Sequence, residues 1–359
     1  FFQISLYSRR GARAEFLARR FAHSENSADT NKYKADAEAI IVKDENEADK
    51  VHGQRVSKIF HDADLVVNLD VASPSMENQI SRFVDLLFGS NSVSPTKLEY
   101  GMFAAKAAAL RTTDLSRQVG AAIFTRRGEI IAMGSNEVPR AGGGTYWCDE
   151  EFDDRELARG TDSNDKRKRE ILNDLINSVD RDGKSNLKTI LNNKKIADSQ
   201  FMDALEYGRI VHAEMSALSD AARLGKAVKD TILFSTTFPC HMCAKHIVAS
   251  GIDEVIFLEP YPKSLASDLH SDSIQIEESD RGKYQHFPAV KFNHFYGITP
   301  RRYRELFERS KRKDEDGSFK SWLYTNPRPI IELTFPFYVA FEQLMLKGIK
   351  GRFGNKSLD

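Results

Sequence analysis

The chain is poor in cysteine, with three in 359 residues, and that scarcity excludes a disulfide-stapled scaffold. So few thiols fit a reducing cytosol, where a closely spaced pair stays free for metal. No uninterrupted apolar run approaches the roughly 18 residues a membrane helix needs, and no signal peptide opens the chain, so no membrane partner is expected. An excess of charge of one sign is missing too: 52 basic and 52 acidic side chains balance to zero. That removes a global polycation for nucleic acid and an acidic disordered tail, and leaves room only for local patches. There is no internal repeat and no GxxxxGK[ST] phosphate loop. The first residues are "FFQISLYSRR" and not a methionine, so further residues are expected upstream.

What is present suffices for a sizeable core: 41% of residues are hydrophobic and 10% aromatic, a length and composition for about two domains. "FFQISLY" predicts a strand, "RGARAEFLARRF" a basic helix, and "GQRVSKIFHDADLVVNLD" a helix followed by a buried strand. "SMENQISRFVDLLFG" places Ile80, Phe83, Val84 and Leu87 on one helical face. Asn, Ser, Pro and Thr at 90–96 mark a boundary, so residues 1–92 and 93–359 are expected to be separate domains. Beyond it come an alanine-rich helix, "KLEYGMFAAKAAALRTT", and a hairpin, "QVGAAIFT" and "EIIAMGSN" joined by "RRG". Residues 149–206 are densely charged and read as a surface insertion. A regular helix–strand–helix–strand order follows: helix 207–224, "TILFST", helix 240–250 and "EVIFLEP". That alternation predicts an α/β protein, a three-layer α/β/α sandwich, with a C-terminal extension after a strand-like "AVKFNHFYG".

Two of the three cysteines stand in "TTFPCHMCAKH", shortly after "RIVHAEMSAL". A catalytic zinc takes three protein ligands and keeps one position open, a count that His212, Cys240 and Cys243 meet. Cys240 and Cys243 fall at the start of a predicted helix, so both thiols face one point and the helix end favours thiolate. His212 and Glu214 cannot point the same way from within a regular helix. If the pair straddles the helix start, the imidazole ligates while the carboxylate reaches a water that the zinc acidifies, moving its proton to the substrate. H-x-E followed by P-C-x-x-C is the signature of zinc nucleoside and nucleobase deaminases. A structural zinc knuckle has no need of Glu214.

From about Lys97 to Pro300, the order of "DLSRQVGAAIF", "GSNEVP", "VHAEMSAL" and "STTFPCHMCAKHIVASGIDEVIFLEPYPKS" resembles the deoxycytidylate deaminase family. The resemblance implies a cytidine-deaminase-like fold, zinc on His212, Cys240 and Cys243, and Glu214 as acid–base. It places Asn136 on the deoxyribose hydroxyl and Ala213 in the substrate site. Arg111, Arg117, Arg140 and Lys263 flank the family's substrate segments, and Tyr261 is positioned to pack on the substrate. Arg117, Tyr261 and Lys263 are the candidates for its phosphate end. The expected reaction is hydrolysis of a deoxycytidine nucleotide, dCMP or dCTP, to the deoxyuridine nucleotide and ammonia. A homo-oligomer and a regulatory nucleotide or RNA are the further partners implied.

Within the family, bacterial anti-phage deaminases acting on dCTP and dCMP are the most similar. They carry an N-terminal P-loop kinase-like domain whose latter part residues 1–92 resemble. The chain departs from the family's G-Y-N-G-x-P by reading Gly134-Ser135-Asn136-Glu137-Val138-Pro139. The alternatives are a deaminase of bases within RNA or DNA, which neutral charge disfavours, and a non-catalytic nucleotide sensor, which Glu214 disfavours. Cys148 is expected to be a free, partly buried thiol, and His241 and His246 to be spectators. Arg9, Arg10, Arg13, Arg19 and Arg20 are expected to form the solvated face of a helix.

Overall fold

The computed structural model describes residues 2–45, 56–71, 73–179, 187–197, 199–261, 263–277, 279–331 and 338–353. Two compact units emerge, residues 1–80 with 95–304, and residues 81–94 with 305–359. In chain order the main elements are β1 (Ile4–Tyr7), α1 (Arg10–Ser24), α2 (Lys34–Glu45), β2 (Leu65–Asn68), α3 (Ser73–Leu87) and α4 (Lys97–Ala109). Next come β3 (Gly120–Phe124), β4 (Ile130–Ser135), α5 (Ser163–Val179), α6 (Ala213–Arg223), β5 (Ile232–Thr237) and α7 (His241–Ser250). The chain closes with β6 (Glu254–Glu259), β7 (Ile274–Ile276), β8 (Val290–His294), β9 (Gly297–Ile298) and α8 (Tyr338–Phe353).

The larger unit is built on a sheet of order β4-β3-β5-β6-β8-β7. The predicted hairpin pairs β3 with β4 and sets β3 antiparallel to β5, while β5, β6, β8 and β7 run parallel. Side chains alternate across a strand, and this sheet uses both faces. Ala121, Ile123, Leu233, Val255 and Phe257 join a core with α6 and α7. Their neighbours Ala122, Phe124, Phe234 and Ile256 pack with Met102, Ala104 and Ala105 of α4. The expected three-layer α/β/α arrangement is therefore present.

A second, three-stranded sheet of order β1-β2-β9 pairs β1 with β2 in parallel and β2 with β9 antiparallel. Nothing in the sequence foretold β9. Its anchor is Glu99, buried in the first turn of α4, where it closes a capping box with Thr96. One carboxylate oxygen accepts from the Thr96 backbone N–H at 2.7 Å, and the other accepts from the Ile298 N–H at 2.9 Å. The arginines of the α1 region answer acidic partners: Arg9 meets Asp70, Arg10 meets Glu38 and Glu45, Arg13 meets Glu45, and Arg19 meets Glu15.

The smaller unit is tied together by backbone bonds from Asn91 to Ser321, Leu323 to Gly89, and Ile330 to Leu87. Here the expected face of α3 is corrected. Phe83, Leu86 and Leu87 are buried, whereas Ile80 and Val84 stay exposed. Arg309 donates to the carbonyls of Leu86 and Ser90, so the covered stripe turns toward Leu86. Among the described residues no helix is long and apolar enough to cross a membrane.

His294, at the end of β8, stacks on Tyr7 of β1 at 4.8 Å, with Phe60 and Phe257 edge-on at 5.3 Å. Burial pulls its pKa down to about 4, and its Nδ1 lies 2.7 Å from the Phe295 carbonyl. Between the ordinary histidine value of about 6.5 and about 4 the unfolded chain binds the proton that the fold refuses. Stability is then fully present above that window and is lost as pH falls through it. Denaturant titrations at several pH values should show this acid slope, flattened in His294→Asn; an unchanged slope in the variant would refute the assignment.

Candidate active site

The two motifs meet because two helices begin at the same place. His212 is the N-cap of α6, with extended backbone at φ −64° and ψ 155°, and Glu214 is the second residue of the helix. The helix thus starts at Ala213 and not at 207 as the apolar pattern suggested, and this late start lets both side chains converge. Cys240 caps α7 in the same way, at φ −68° and ψ 167°, with Cys243 in its first turn.

The position of α6 rests on small residues. Gly134 of β4 lies so close to it that an added Cβ would sit 2.2 Å from the Ala213 carbonyl oxygen and 2.4 Å from the Ala217 nitrogen. Gly120 of β3 makes room for α4 in the same manner, 2.0 Å from the Ala105 carbonyl. The Gly134 of "GSNEVP" thus seats the helix that carries His212 and Glu214.

His212 Nδ1 lies 3.3 Å from each sulfur, and the three donor atoms fall within 4.8 Å of one another. Neighbouring ligands on a tetrahedral zinc stand roughly 3.5 Å apart, so one imidazole and two thiols fit that ion. Hydrogen bonding from Cys243, with help from His212, pulls the Cys240 thiol down to about 4. Cys243 is held up by that bond and by its burial. The pair offers an anionic sulfur ready for metal.

Glu214 is buried, and desolvation followed by the Cys240 charge pushes its carboxyl above the usual range. Its Oε2 lies 3.3 Å from Cys243 Sγ, and its Oε1 lies 3.2 Å from Ser235 Oγ. Ser235 also bonds the Thr237 carbonyl at 2.7 Å, which uses the single hydroxyl hydrogen.

His212, Glu214 and Cys240 line a cavity of about 360 Å³. Of the residues expected at the substrate, Arg117, Asn136, Ala213, Tyr261 and Lys263 all line it. The Arg117 guanidinium lies 5.7 Å from the Tyr261 ring centre, and burial raises the Tyr261 pKa. The Asn136 amide donates to Asp114 at 2.6 Å and to the Arg117 carbonyl at 2.8 Å, while its oxygen accepts from the Val119 N–H at 2.8 Å. Its first task is therefore to pin the 114–119 turn along the cavity wall. Arg111 and Arg140 are not among the lining residues: Arg111 covers Trp147 at 3.6 Å and Arg140 pairs with Glu150.

Two expectations are corrected. Residues 149–206 are not only surface: Glu156, Asp162, Asn164, Asp165, Lys168 and Asp203 line the cavity, and Glu156 and Lys168 are buried. Cys148 is exposed rather than partly buried. Sequence reasoning also missed Asp114 and Ser235, whose roles appear only when distant segments meet. His241 stands 3.8 Å from Glu206 at the cavity's flank.

Residues 95–259 match the cytidine and deoxycytidylate deaminase zinc-binding region. The chain is 30% identical to the deoxycytidylate deaminase of Enterobacteria phage T4 over 149 residues, 42% of this chain and 70% of that protein. It is 27% identical to a probable deoxycytidylate deaminase of Drosophila melanogaster over 199 residues, 54% of this chain and 73% of the other. Among solved structures it is similar to the dCMP deaminase of cyanophage S-TIM5 in complex with dCMP and dUMP. That likeness has 19% identity and a TM-score of 0.31, over 56% of this chain and 98% of that one. With its donor set and its relatives together, the chain belongs to the zinc-binding cytidine and deoxycytidylate deaminase family.

Gly134→Ala should drive α6 off β4, at a cost of about 1–3 kcal/mol from overpacking. Zinc content and melting temperature, measured on the same sample, should fall together. A variant with full zinc and unchanged melting would contradict this role of the glycine.

Proposed function

We propose that the protein deaminates deoxycytidine nucleotides hydrolytically, giving deoxyuridine nucleotides and ammonia. The observation that carries this reading is the buried Glu214 carboxylate, held beside three convergent metal donors in the lining of a nucleotide-sized cavity. In this reading His212, Cys240 and Cys243 would hold zinc, which would supply a water acidic enough to serve as nucleophile near neutral pH. Glu214 takes the proton on a carboxylate whose affinity for it burial has already raised. It then passes that proton to the cytosine ring nitrogen, and carries a second proton from the same water to the departing amine. Asn136 and Ala213 border the sugar, and Arg117, Tyr261 and Lys263 receive the anionic end.

The likeness to the phage deoxycytidylate deaminase favours the monophosphate as substrate. The resemblance of residues 1–92 to the latter part of a P-loop kinase-like domain supports extending the reading to dCTP and to depletion of cytosine deoxynucleotides in phage-infected cells. The parallel β1–β2 pair, with α1 between its strands, is in keeping with that origin. A homo-oligomer working in the cytosol completes the proposal.

Zinc-loaded protein incubated with dCMP, dCTP, CMP and deoxycytidine should release deoxyuridine nucleotides, separated chromatographically. Glu214→Ala should keep its zinc and lose at least about a hundredfold in kcat, the usual scale of acid–base catalysis. Cys240→Ser should lose the metal as well. Turnover by Glu214→Ala at the wild-type rate would overturn the proposed role of this residue.

A further inference from the structure

We infer that the 149–206 insertion restrains the binding of phosphorylated ligands, through Asp203 standing on Lys263 as a carboxylate that the substrate's anionic tail must displace. The inference rests on the deaminase reading above and deepens it.

Three cations line the cavity away from Glu214 on other terms than Lys263. Lys168 is buried and spent within the insertion, its Nζ bonding the Met202 carbonyl at 2.6 Å and Asp165 at 2.9 Å. Arg117 leans over the Tyr261 ring, and Arg209 is held by Asp154 at 2.9 Å. Lys263 differs from these in being both ion-paired and largely exposed: its Nζ meets Asp203 Oδ1 at 2.7 Å, across 60 residues of chain, while more than half of its side chain stays open to solvent. The pair sits at the cavity's open end, with the lysine 57% and the aspartate 31% exposed. An ion pair that wet is weak, and a phosphate carrying more charge than a carboxylate competes well for the ammonium.

Asp203 does not depend on Lys263 for its place. The Asn164 amide clasps the adjoining loop from both sides, donating to the Ala204 carbonyl at 2.8 Å and accepting from the Tyr207 N–H at 3.2 Å. Glu206 adds a contact to His241, beside Cys240. When Lys263 turns to a phosphate the carboxylate remains, and a nucleoside without phosphate has nothing to exchange for it. The insertion thereby lowers the affinity for phosphorylated ligands and leaves that for nucleosides nearly unchanged.

The test uses the full zinc-loaded chain, with KM for dCMP and deoxycytidine and calorimetric Kd for dUMP and deoxyuridine. Asp203→Asn should lower KM for dCMP and Kd for dUMP by about fivefold, the scale of one exposed ion pair, and move the unphosphorylated partners much less. Lys263→Gln should weaken the phosphorylated ligands, and in that background Asp203→Asn should lose its effect. An equal change for phosphorylated and unphosphorylated ligands, no change, or an effect that survives Lys263→Gln would each overturn the inference. Wild-type protein that binds dUMP but turns over no cytosine nucleotide defeats the reaction and leaves the binding arm to decide Asp203. Protein that binds neither ligand overturns both.

Discussion

The site depends on one close approach, the backbone of α6 lying directly on β4 with only the hydrogen of Gly134 between them. Ala213 and Ala217, both fully buried, form the helix side of that contact. Because no side chain intervenes, the first turn of α6 cannot drift relative to the sheet. The sheet in turn carries β5, whose end leads through Pro239 into the α7 cap at Cys240. Two helix starts are thereby fixed against one rigid body, and three ligand atoms from these two segments meet within a few ångströms. The tolerance for a metal site is narrow, so the helix–sheet packing has to supply the precision that the loops cannot.

Electrostatics follows from the same burial. Two thiols, an imidazole and a carboxylate are crowded into a nearly dry volume, so each alters the others. One thiol is driven to ionise while the other and the carboxyl are driven to keep their protons. A site of this kind is costly without a cation and well disposed toward one. The neutral formal charge of the whole chain hides this local asymmetry. The insertion adds its own acids and bases to the cavity lining.

What could be read in the sequence was whatever is local. H-x-E and P-C-x-x-C carry their geometry in their spacing, and the strands of the sheet carry theirs in alternating apolar residues, so the ligand set and the central layers were legible. What depended on distant partners was not. The buried stripe of α3 takes in Leu86, and its partners there come from far along the chain, Arg309 on the Leu86 carbonyl and Ile330 on that of Leu87. The two-residue β9 is held by Glu99 from 199 positions away, and no local pattern marks it. Charge density made 149–206 look like surface. Yet Lys168 is buried because Met202 and Asp165 satisfy its ammonium within the insertion. Asn136 was identified as a cavity residue, but its bonds to Asp114, Arg117 and Val119 could be found only in three dimensions.

The central claim is that two helix N-termini build a single open zinc site from His212, Cys240 and Cys243. X-ray absorption at the zinc edge of the purified, metal-loaded chain tests it most directly. The account predicts one zinc per chain with two sulfur neighbours at about 2.3 Å and two nitrogen or oxygen neighbours at about 2.0 Å, one of them exchangeable solvent. A chain that retains no zinc, or a zinc closed by four protein ligands, would contradict it.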